Sequence, residues 1–142
     1  CSNFNLDQIR QASEVADISF IQMPVNILNS PLPSSFSEFC ENHSIKIVAY
    51  NTLASGLLSG KYNHHATFPK NDRRSRLEDF QGTNLEKLSQ EVDRLKLKAE
   101  KENLTIAQYS IREALQDQNI ESVIVGIKNQ EQAIENICWI DY

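Results

Sequence analysis

The chain has few of the features that mark membrane, secreted or nucleic-acid-binding proteins. Its 142 residues contain no apolar run near the roughly 20 residues that a membrane-spanning helix needs, and the first residues lack the apolar stretch of a signal peptide. The net charge is −5, which argues against binding to DNA or RNA. We therefore expect a cytoplasmic protein that contacts neither a membrane nor nucleic acid.

Cysteine is also scarce. Cys1, Cys40 and Cys138 lie far apart, and no Cys-x-x-Cys or cysteine–histidine spacing indicates a zinc site. Reduced thiols in a cytosolic protein are the simplest interpretation, with Cys40 and Cys138 packed on apolar helix faces. The adjacent histidines His64 and His65 have no third ligand nearby, so we predict no metal site.

The sequence does contain a regular alternation of helical and strand-like segments. Strands are predicted at 18–26, where Pro24 must lie near the end, at 45–50 and at 120–126. Helices are predicted at 5–14, 35–42, 84–102, 105–115 and 129–137. Capping boxes are predicted at Asn5–Gln8 and Ser35–Glu38, and the segments Thr105–Gln108 and Asn129–Gln132 are predicted to cap the last two helices. Residues 51–79 form a long loop with one short helix near 57–61. This order predicts a parallel sheet with helices outside it.

Small and polar residues follow two of the predicted strands. The strand ending at Tyr50 runs into the small residues of 51–62, and the strand ending near Val125 runs into Gly126 and a new helix. Free backbone N–H groups beside a helix N-terminus are suited to phosphate, and (β/α) barrels place their phosphate site after the last strands. The sequence thus predicts part of a (β/α) barrel, because a complete barrel has about 250 residues.

Four motifs in register make the resemblance specific. They are Ser2-Asn3-Phe4, Gln22 followed by Asn26, the run Ala49–Tyr62, and Gly126–Gln132 followed by Glu135-Asn136. Together they resemble the aldo-keto reductase family, and Phe68-Pro69 with Asp72–Arg76 resembles its bacterial branch. The resemblance implies an α/β fold that is the C-terminal half of a (β/α)8 TIM barrel. It also implies that 1–142 is one partial domain, from the end of the fifth strand through the eighth strand and the final helix.

The resemblance implies that the strand ends hold NADP(H), with NADPH favoured over NADH. Three residues would pair with the nicotinamide carboxamide, a tyrosine would stack on the ring, a loop would hold the pyrophosphate, and the last motif would hold the 2′-phosphate and adenine. In chain order the implied residues are Ser2, Asn3, Gln22, Tyr50, Asn51, Leu53, Ser55, Gly56, Leu58, Lys61, Gly126, Lys128, Gln132, Glu135 and Asn136.

Two positions depart from one large branch of the family. Gln132 stands where many members have an arginine, and Ile127 stands where they have a hydroxyl. The implied preference for NADP is therefore weaker. The arginines of 73–76 are by default a solvated face, and the alternative is a flap over the cofactor phosphates.

The implied function is reduction of aldehydes, ketones or sugars by an NADP-dependent oxidoreductase. The family's catalytic tyrosine, lysine, aspartate and histidine lie on the first half of its barrel, and Tyr62, Tyr109 and Tyr142 do not match that tyrosine. No catalytic residue is assigned, and the chain alone should be inactive. The alternatives are a non-catalytic module that senses NADP(H) or binds a partner, and a truncated product without activity.

A half barrel should also recruit a partner. We expect an open inner face that includes Phe20, Gln22, Ile47, Ala49 and Ile124, together with two open sheet edges. The partner would be the missing N-terminal half of the barrel or a second copy of the chain.

Overall fold

The structure is a computed structural model that describes residues 1–29, 31–137 and 139. The described part alternates helices and strands, and it has three short 3₁₀ helices between β2 and α3. In chain order the elements are α1 (Leu6–Ser13), β1 (Phe20–Pro24), α2 (Ser34–Asn42), β2 (Lys46–Tyr50), the 3₁₀ helices Ala54–Ser59, Arg73–Arg76 and Glu78–Phe80, α3 (Gly82–Lys101), α4 (Ile106–Leu115), β3 (Ile120–Val123) and α5 (Gln130–Ile137).

The three strands form one parallel sheet in the order β1-β2-β3. Gln22 pairs with Val48 and Pro24 pairs with Tyr50, so Pro24 is the last residue of β1, as predicted. Neighbours in the sheet are also neighbours in sequence, which is the arrangement of strands in a (β/α) barrel. The predicted α/β class with parallel strands is confirmed, and the sheet is consistent with part of a barrel.

The chain divides into two compact units. The first unit comprises Cys1–Thr52 and Ile111–Gly126, and it contains the whole sheet. The second unit comprises Leu53–Ser110 and Ile127–Tyr142, and it contains the 3₁₀ helices, α3 and α5. Within the described residues, no helix combines the length and apolarity that crossing a membrane requires.

The core of the first unit lies on one face of its sheet. Ile21, Ile47 and Ala49 are fully buried there, in one cluster with Ile9 of α1 and Cys40 of α2. Burial, followed by the negative charge of Asp117, raises the pKa of the Cys40 thiol from 9.0 to about 11. The prediction of a packed thiol is confirmed for Cys40, and that for Cys138 lies outside the described residues.

The opposite face of the sheet is the open one. Phe20 is 52% exposed and Ile124 is 47% exposed. Val48, which lies between Gln22 and Ser122 in the register, is half-buried. The prediction that Ile47 and Ala49 lie on this open face is wrong. Successive side chains of a strand point to opposite faces of the sheet. The even-numbered residues of β2, such as Val48, therefore lie on the open side, and Ile47 and Ala49 face the helices.

The core of the second unit is centred on α3. Leu85, Val92, Leu95 and Ala99 are buried at helical spacing in this helix, which the sequence predicted at 84–102. The 3₁₀ helices Ala54–Ser59 and Glu78–Phe80 contact α3. Helix α3 thus supports the segment of the chain between β2 and α3.

The predicted capping box at Asn5–Gln8 and the predicted cap at Thr105–Gln108 are confirmed. The Asn5 side chain accepts a hydrogen bond from the Gln8 backbone N–H, and the Gln8 side chain accepts one from the Asn5 N–H, both at 2.9 Å. Thr105 and Gln108 form the same reciprocal pair, at 2.9 and 3.2 Å. Each pair satisfies backbone donors that the first turn of a helix leaves without an intrahelical acceptor.

The prediction of a capping box at Ser35–Glu38 is wrong. The helix begins one residue earlier, at Ser34, and Pro33 is its N-cap without a side-chain hydrogen bond. The Pro33 carbonyl accepts from the N–H groups of Phe36 and Ser37 instead, at 2.9 and 3.1 Å. Proline's fixed φ, here −54°, suits a helix start, so it displaces the serine as cap.

Candidate functional site

The four residues predicted to bind the nicotinamide come together at the carboxyl end of the sheet in the first unit. The Asn3 N–H donates to the Gln22 carbonyl at 2.9 Å, and Ser2 forms an isolated parallel bridge with Gln22. The Tyr50 hydroxyl donates to Asn3 Oδ1 at 2.5 Å. Backbone contacts of Gln22 with Ser2 and Asn3, and one side-chain hydrogen bond from Tyr50 to Asn3, thus join four residues, which we name the amide cluster (Ser2, Asn3, Gln22 and Tyr50).

The backbone beyond β2 turns sharply at Asn51. Asn51 has φ +54°, a conformation that asparagine tolerates better than most residues. Buried Asn26 donates from Nδ2 to the Asn51 carbonyl at 3.4 Å, and Asn26 is itself held by Asn29, whose Oδ1 accepts from its N–H at 2.9 Å. Asn26 and Asn51 both belonged to the motifs identified in the sequence, and the structure gives Asn26 a role in shaping this turn.

The predicted pyrophosphate loop is a tight turn in the second unit. We name it the 3₁₀ turn (Ala54–Ser59), and it starts three residues before the short helix predicted at 57–61. Ala54, Ser55 and Gly56 have φ values of 47°, 53° and 103°, so three successive residues are left-handed. Such backbone costs of order 1–3 kcal/mol per non-glycine residue and persists only where the surroundings fix it.

The hydrogen bonds inside the 3₁₀ turn show which backbone groups it uses. The N–H groups of Gly56 and Leu58 both donate to the Leu53 carbonyl, at 2.8 and 3.2 Å, and the Ser59 hydroxyl donates to the Gly56 carbonyl at 2.6 Å. The Leu58 side chain is fully buried. The backbone N–H groups of Gly56 and Leu58 thus serve the turn itself in this conformation, and the surface near it offers half-buried Ser55 and exposed Lys61.

One arginine side chain lies directly against the 3₁₀ turn. Arg74 donates to both carboxylate oxygens of Asp72, at 2.9 and 2.5 Å, and to the Tyr62 hydroxyl. Its guanidinium carbon lies 4.9 Å from the ring centre of Tyr62 and 4.8 Å from that of Phe68. A Cβ atom on Gly56 would lie 3.3 Å from the Tyr62 ring and 3.8 Å from Arg74. We name Asp72, Arg74, Tyr62 and Phe68 the arginine cage.

The charges of the arginine cage reinforce one another. Hydrogen bonds from Arg74 hold the pKa of Asp72 at about 2, below its ordinary 3.8, and the positive charge of Lys128 adds to the effect. The same pairing raises the pKa of Arg74. Of the predicted basic run, Arg74 is therefore bound internally, whereas Arg73 and Arg76 are exposed.

Two of the predicted 2′-phosphate residues, Lys128 and Gln132, lie at the N-terminus of α5. Asn129 caps the helix by accepting from the Gln132 N–H at 2.9 Å, and the Gln132 side chain accepts from the Lys128 N–H at 2.9 Å. Lys128 and Gly126 are exposed, so an ammonium group lies before a helix N-terminus. Both features favour an anion.

The two predicted adenine residues have different environments. Glu135 is exposed, and its carbonyl accepts a hydrogen bond from Gln108 Nε2 at 2.8 Å. Asn136 is only 6% exposed, and its carbonyl accepts from Trp139 Nε1 at 2.9 Å. The side chain of Asn136 is thus mainly part of the packing around α5.

The structure places the predicted residues in two groups. Ser2, Asn3, Gln22, Tyr50, Asn51 and Gly126 lie in the first unit, and the remaining predicted residues lie in the second. The sequence did not predict the arginine cage. An Asp-x-Arg turn between aromatic residues was the available signal, since the Asp72 side chain also accepts from the Arg74 N–H at 3.0 Å.

The adjacent histidines His64 and His65 are not among the predicted binding residues of either unit. The rings of His64 and His65 lie 3.8 Å apart, with their interplanar angle at 47°. In the part of the chain that the structure describes, no group of three histidine, cysteine, aspartate or glutamate side chains is placed to hold a metal ion.

The consecutive parallel strands, with helices packed on them, are consistent with part of a (β/α) barrel. The sequence profile of the Aldo/keto reductase family matches residues 1–141. The chain therefore belongs to the aldo/keto reductase family.

Relatives and solved structures agree with this assignment. The chain is 33% identical over 112 residues to a probable voltage-gated potassium channel subunit beta of Arabidopsis thaliana. The aligned region covers 76% of this chain and 34% of that protein. It is 30% identical over 132 residues to the aldo-keto reductase str7 of Strobilurus tenacellus, which covers 91% of the chain and 39% of that protein. The chain thus spans about a third to two-fifths of the length of these relatives.

Two solved structures share the fold. A glycerol dehydrogenase of Gluconobacter oxydans superposes with a TM-score of 0.78 at 33% identity, over 86% of this chain and 37% of that one. The aldo-keto reductase AKR11C1 of Bacillus halodurans superposes with a TM-score of 0.63 at 18% identity, over 96% of this chain and 42% of that one. These similarities confirm the predicted barrel-type fold.

Proposed function

We propose that the chain is the cofactor-binding part of an oxidoreductase that uses NADP(H) to reduce aldehydes, ketones or sugars. The observation that carries the proposal is the amide cluster, where Asn3, Gln22 and Tyr50 meet at the strand ends. A nicotinamide carboxamide has one acceptor and two donors, and the cluster supplies two side-chain amides, a hydroxyl and an aromatic ring. The donor set therefore fits the group, which supplies hydride when bound.

The second unit would hold the phosphates. Lys128 is exposed at the capped N-terminus of α5, where the charge and the helix dipole both favour a dianionic phosphate. Exposed Lys61 and half-buried Ser55 lie at the 3₁₀ turn, and they would face the pyrophosphate. Because Gln132 has no positive charge, Lys128 would carry most of the discrimination for the 2′-phosphate.

A selective loss of affinity for NADPH tests this proposal. We expect Lys128→Met to weaken NADPH binding about 10-fold and to change NADH binding by less than about 2-fold, because only NADPH carries the 2′-phosphate. Cofactor fluorescence titration of the protein expressed from its whole gene measures both. Lys101→Met, at the end of α3, is the matched control. Equal losses for the two cofactors, or no binding by the parent protein, would contradict the proposal.

The substrate is proposed to be a small carbonyl compound or the corresponding alcohol. The structural similarity to a glycerol dehydrogenase at 33% identity favours polyols and their oxidised forms. We assign no catalytic residue to this chain, and we propose that it is inactive by itself. A carbonyl-reduction assay that compares this chain with the whole gene product tests that statement.

A regulatory module that binds NADP(H) or a partner is the second candidate function. The similarity to a probable potassium channel subunit beta favours it. Steady turnover of aldehydes by the whole gene product would exclude a purely non-catalytic role.

We also propose that the open face of the sheet is covered by further chain. Phe20 and Ile124 are about half exposed, and parallel strands are normally buried on both faces. Either the remaining part of a barrel or a second copy of this chain would cover them. A monomer of this chain alone that unfolds cooperatively and binds no hydrophobic dye would contradict the proposal.

A further inference from the structure

An open cavity of about 320 Å³ lies in the first unit, between the end of α1 and the starts of β1 and β2. Its polar lining consists of Ser13, Asp17, Ser19, His43 and Ser44. Because Ser19 and Ser44 come just before the two strands, the cavity lies at the amino end of the sheet. The amide cluster lies at the opposite, carboxyl end.

The cavity has a carboxylate in its lining and no lysine or arginine beside it. Among the described residues that line the cavity, Asp17 is the only aspartate, glutamate, lysine or arginine, and it forms no ion pair within the described part of the chain. Two cations of the adjoining elements are bound elsewhere, since Arg10 pairs with Asp7 at 3.7 Å and Lys46 Nζ donates to the Gln118 carbonyl at 3.3 Å. The Asp17 carboxylate is therefore available to a positively charged donor.

The other polar groups of the cavity also suit a donor. The Ser13 Oγ atom is buried and has no hydrogen-bond partner among the described residues. His43 Nδ1 lies 2.9 Å from the Phe39 carbonyl, which only accepts, so Nδ1 carries the proton and Nε2 of the neutral ring is an acceptor. Helix α1 ends at Ser13 and α2 ends just before His43, and the C-terminus of a helix carries partial negative charge. These features together favour a cation over an anion.

We propose that this cavity binds a guanidinium or primary ammonium group. Such a group combines one positive charge with several N–H donors, so it donates to the Asp17 carboxylate and to the Ser13 hydroxyl at the same time. The group belongs either to a small free organic cation or to an arginine or lysine side chain from elsewhere in the whole gene product. The inference does not rest on the proposed function, because the amide cluster lies at the other end of the sheet.

Methylguanidinium and methylurea are matched probes, because they have nearly the same shape and differ in charge. We expect the whole gene product to bind methylguanidinium about 10-fold more tightly than methylurea in an NMR titration at pH 8. Asp17→Asn keeps the shape of the side chain and should reduce this ratio to less than about 2-fold, and Ser13→Ala should weaken methylguanidinium binding about 3-fold. Asp7→Asn removes an exposed carboxylate from the first turn of α1, and this control should keep the parental ratio.

Thermal unfolding of the same variants distinguishes the two sources of the cation. If a free cation is the ligand, the parent binds methylguanidinium, and Asp17→Asn and Asp7→Asn unfold at similar temperatures. If a side chain fills the cavity, the parent binds neither probe, and Asp17→Asn unfolds about 3 °C or more below Asp7→Asn, because that cation loses its partner.

Three results would overturn the proposal. One is equal binding of the two probes by the parent protein. Another is a preference for methylguanidinium that Asp17→Asn retains or that Asp7→Asn loses to the same extent. The third is a parent that binds neither probe together with equal unfolding temperatures of the two variants.

Discussion

The two units of the chain hold their candidate binding residues in different ways. In the first unit, the strands are fixed by apolar packing on one face, and the amide cluster sits where those strands end. In the second unit, the left-handed residues of the 3₁₀ turn lie against a charged side chain, Arg74, and its aromatic neighbours. A hydrophobic core positions the proposed ring site, whereas a polar cage positions the proposed phosphate site.

This difference predicts different responses to mutation and to pH. Apolar packing depends on volume and is insensitive to pH near neutrality. The stability of a cage of hydrogen-bonded charges depends on the geometry of the arginine guanidinium group and on the ionisation of the aspartate that it binds. The following substitutions test whether the two units differ in this way.

The largest effect is expected from a truncation in the core of the first unit. Ile47→Ala removes a fully buried side chain from the middle strand, and we expect it to lower the free energy of unfolding by about 2 to 5 kcal/mol. Val15→Ala, at a position that is 86% exposed, should change it by less than about 0.5 kcal/mol. Urea unfolding of both variants measures this, and similar losses would show that the face is not packed.

The next largest effect is expected from the arginine cage. Arg74→Met keeps an unbranched chain but loses the bonds to Asp72 and Tyr62, in a site where the Arg74 side chain is 17% exposed. We expect a loss of about 1 to 3 kcal/mol in the free energy of unfolding. Exposed Arg76, mutated to Met, is the matched control and should have an effect within about 0.5 kcal/mol.

Acid should reduce the difference between the parent and Arg74→Met. Asp72 has a folded pKa of about 2 and an ordinary pKa of 3.8, so its pairing stabilises the fold fully above about pH 4 and is lost as the pH falls through 2. The gap between the two proteins should stay constant from pH 7 to 4 and shrink below that. A gap that shrinks between pH 6 and 5 would show that another group carries the effect.

Alanine substitutions at two glycines extend the comparison of the two units, and their expected effect on stability is smaller. Gly56 has φ +103° and faces Tyr62, whereas a Cβ on Gly126 would meet no atom within 4 Å. We expect Gly56→Ala to cost about 1 to 2 kcal/mol, because an alanine there is strained and crowds the Tyr62 ring. Gly126→Ala should be neutral within about 0.5 kcal/mol in a thermal unfolding scan. Equal effects would mean that the 3₁₀ turn adapts freely.

The sequence predicted most of the first unit because its signals are local. Alternation and β-branched residues indicated β1 and β2 within about two residues, and the family motifs marked the amide cluster. It did not predict the arginine cage, because Arg74 meets Tyr62 across 12 residues of irregular chain. The prediction for the face of the sheet on which Ile47 lies was wrong for a different reason. Periodicity shows that side chains of a strand alternate between the two faces, but it does not show which face the helices cover.

The smallest predicted effect concerns the two similar helix starts of the first unit. Asn5 makes a complete capping box, so Asn5→Ala should lower the free energy of unfolding by about 1 kcal/mol. Ser35 belongs to an equally good sequence motif but lies inside a helix that Pro33 begins, so Ser35→Ala should be neutral or slightly stabilising. Urea unfolding distinguishes them, and a loss at Ser35 equal to that at Asn5 would restore the capping box that the sequence alone indicates.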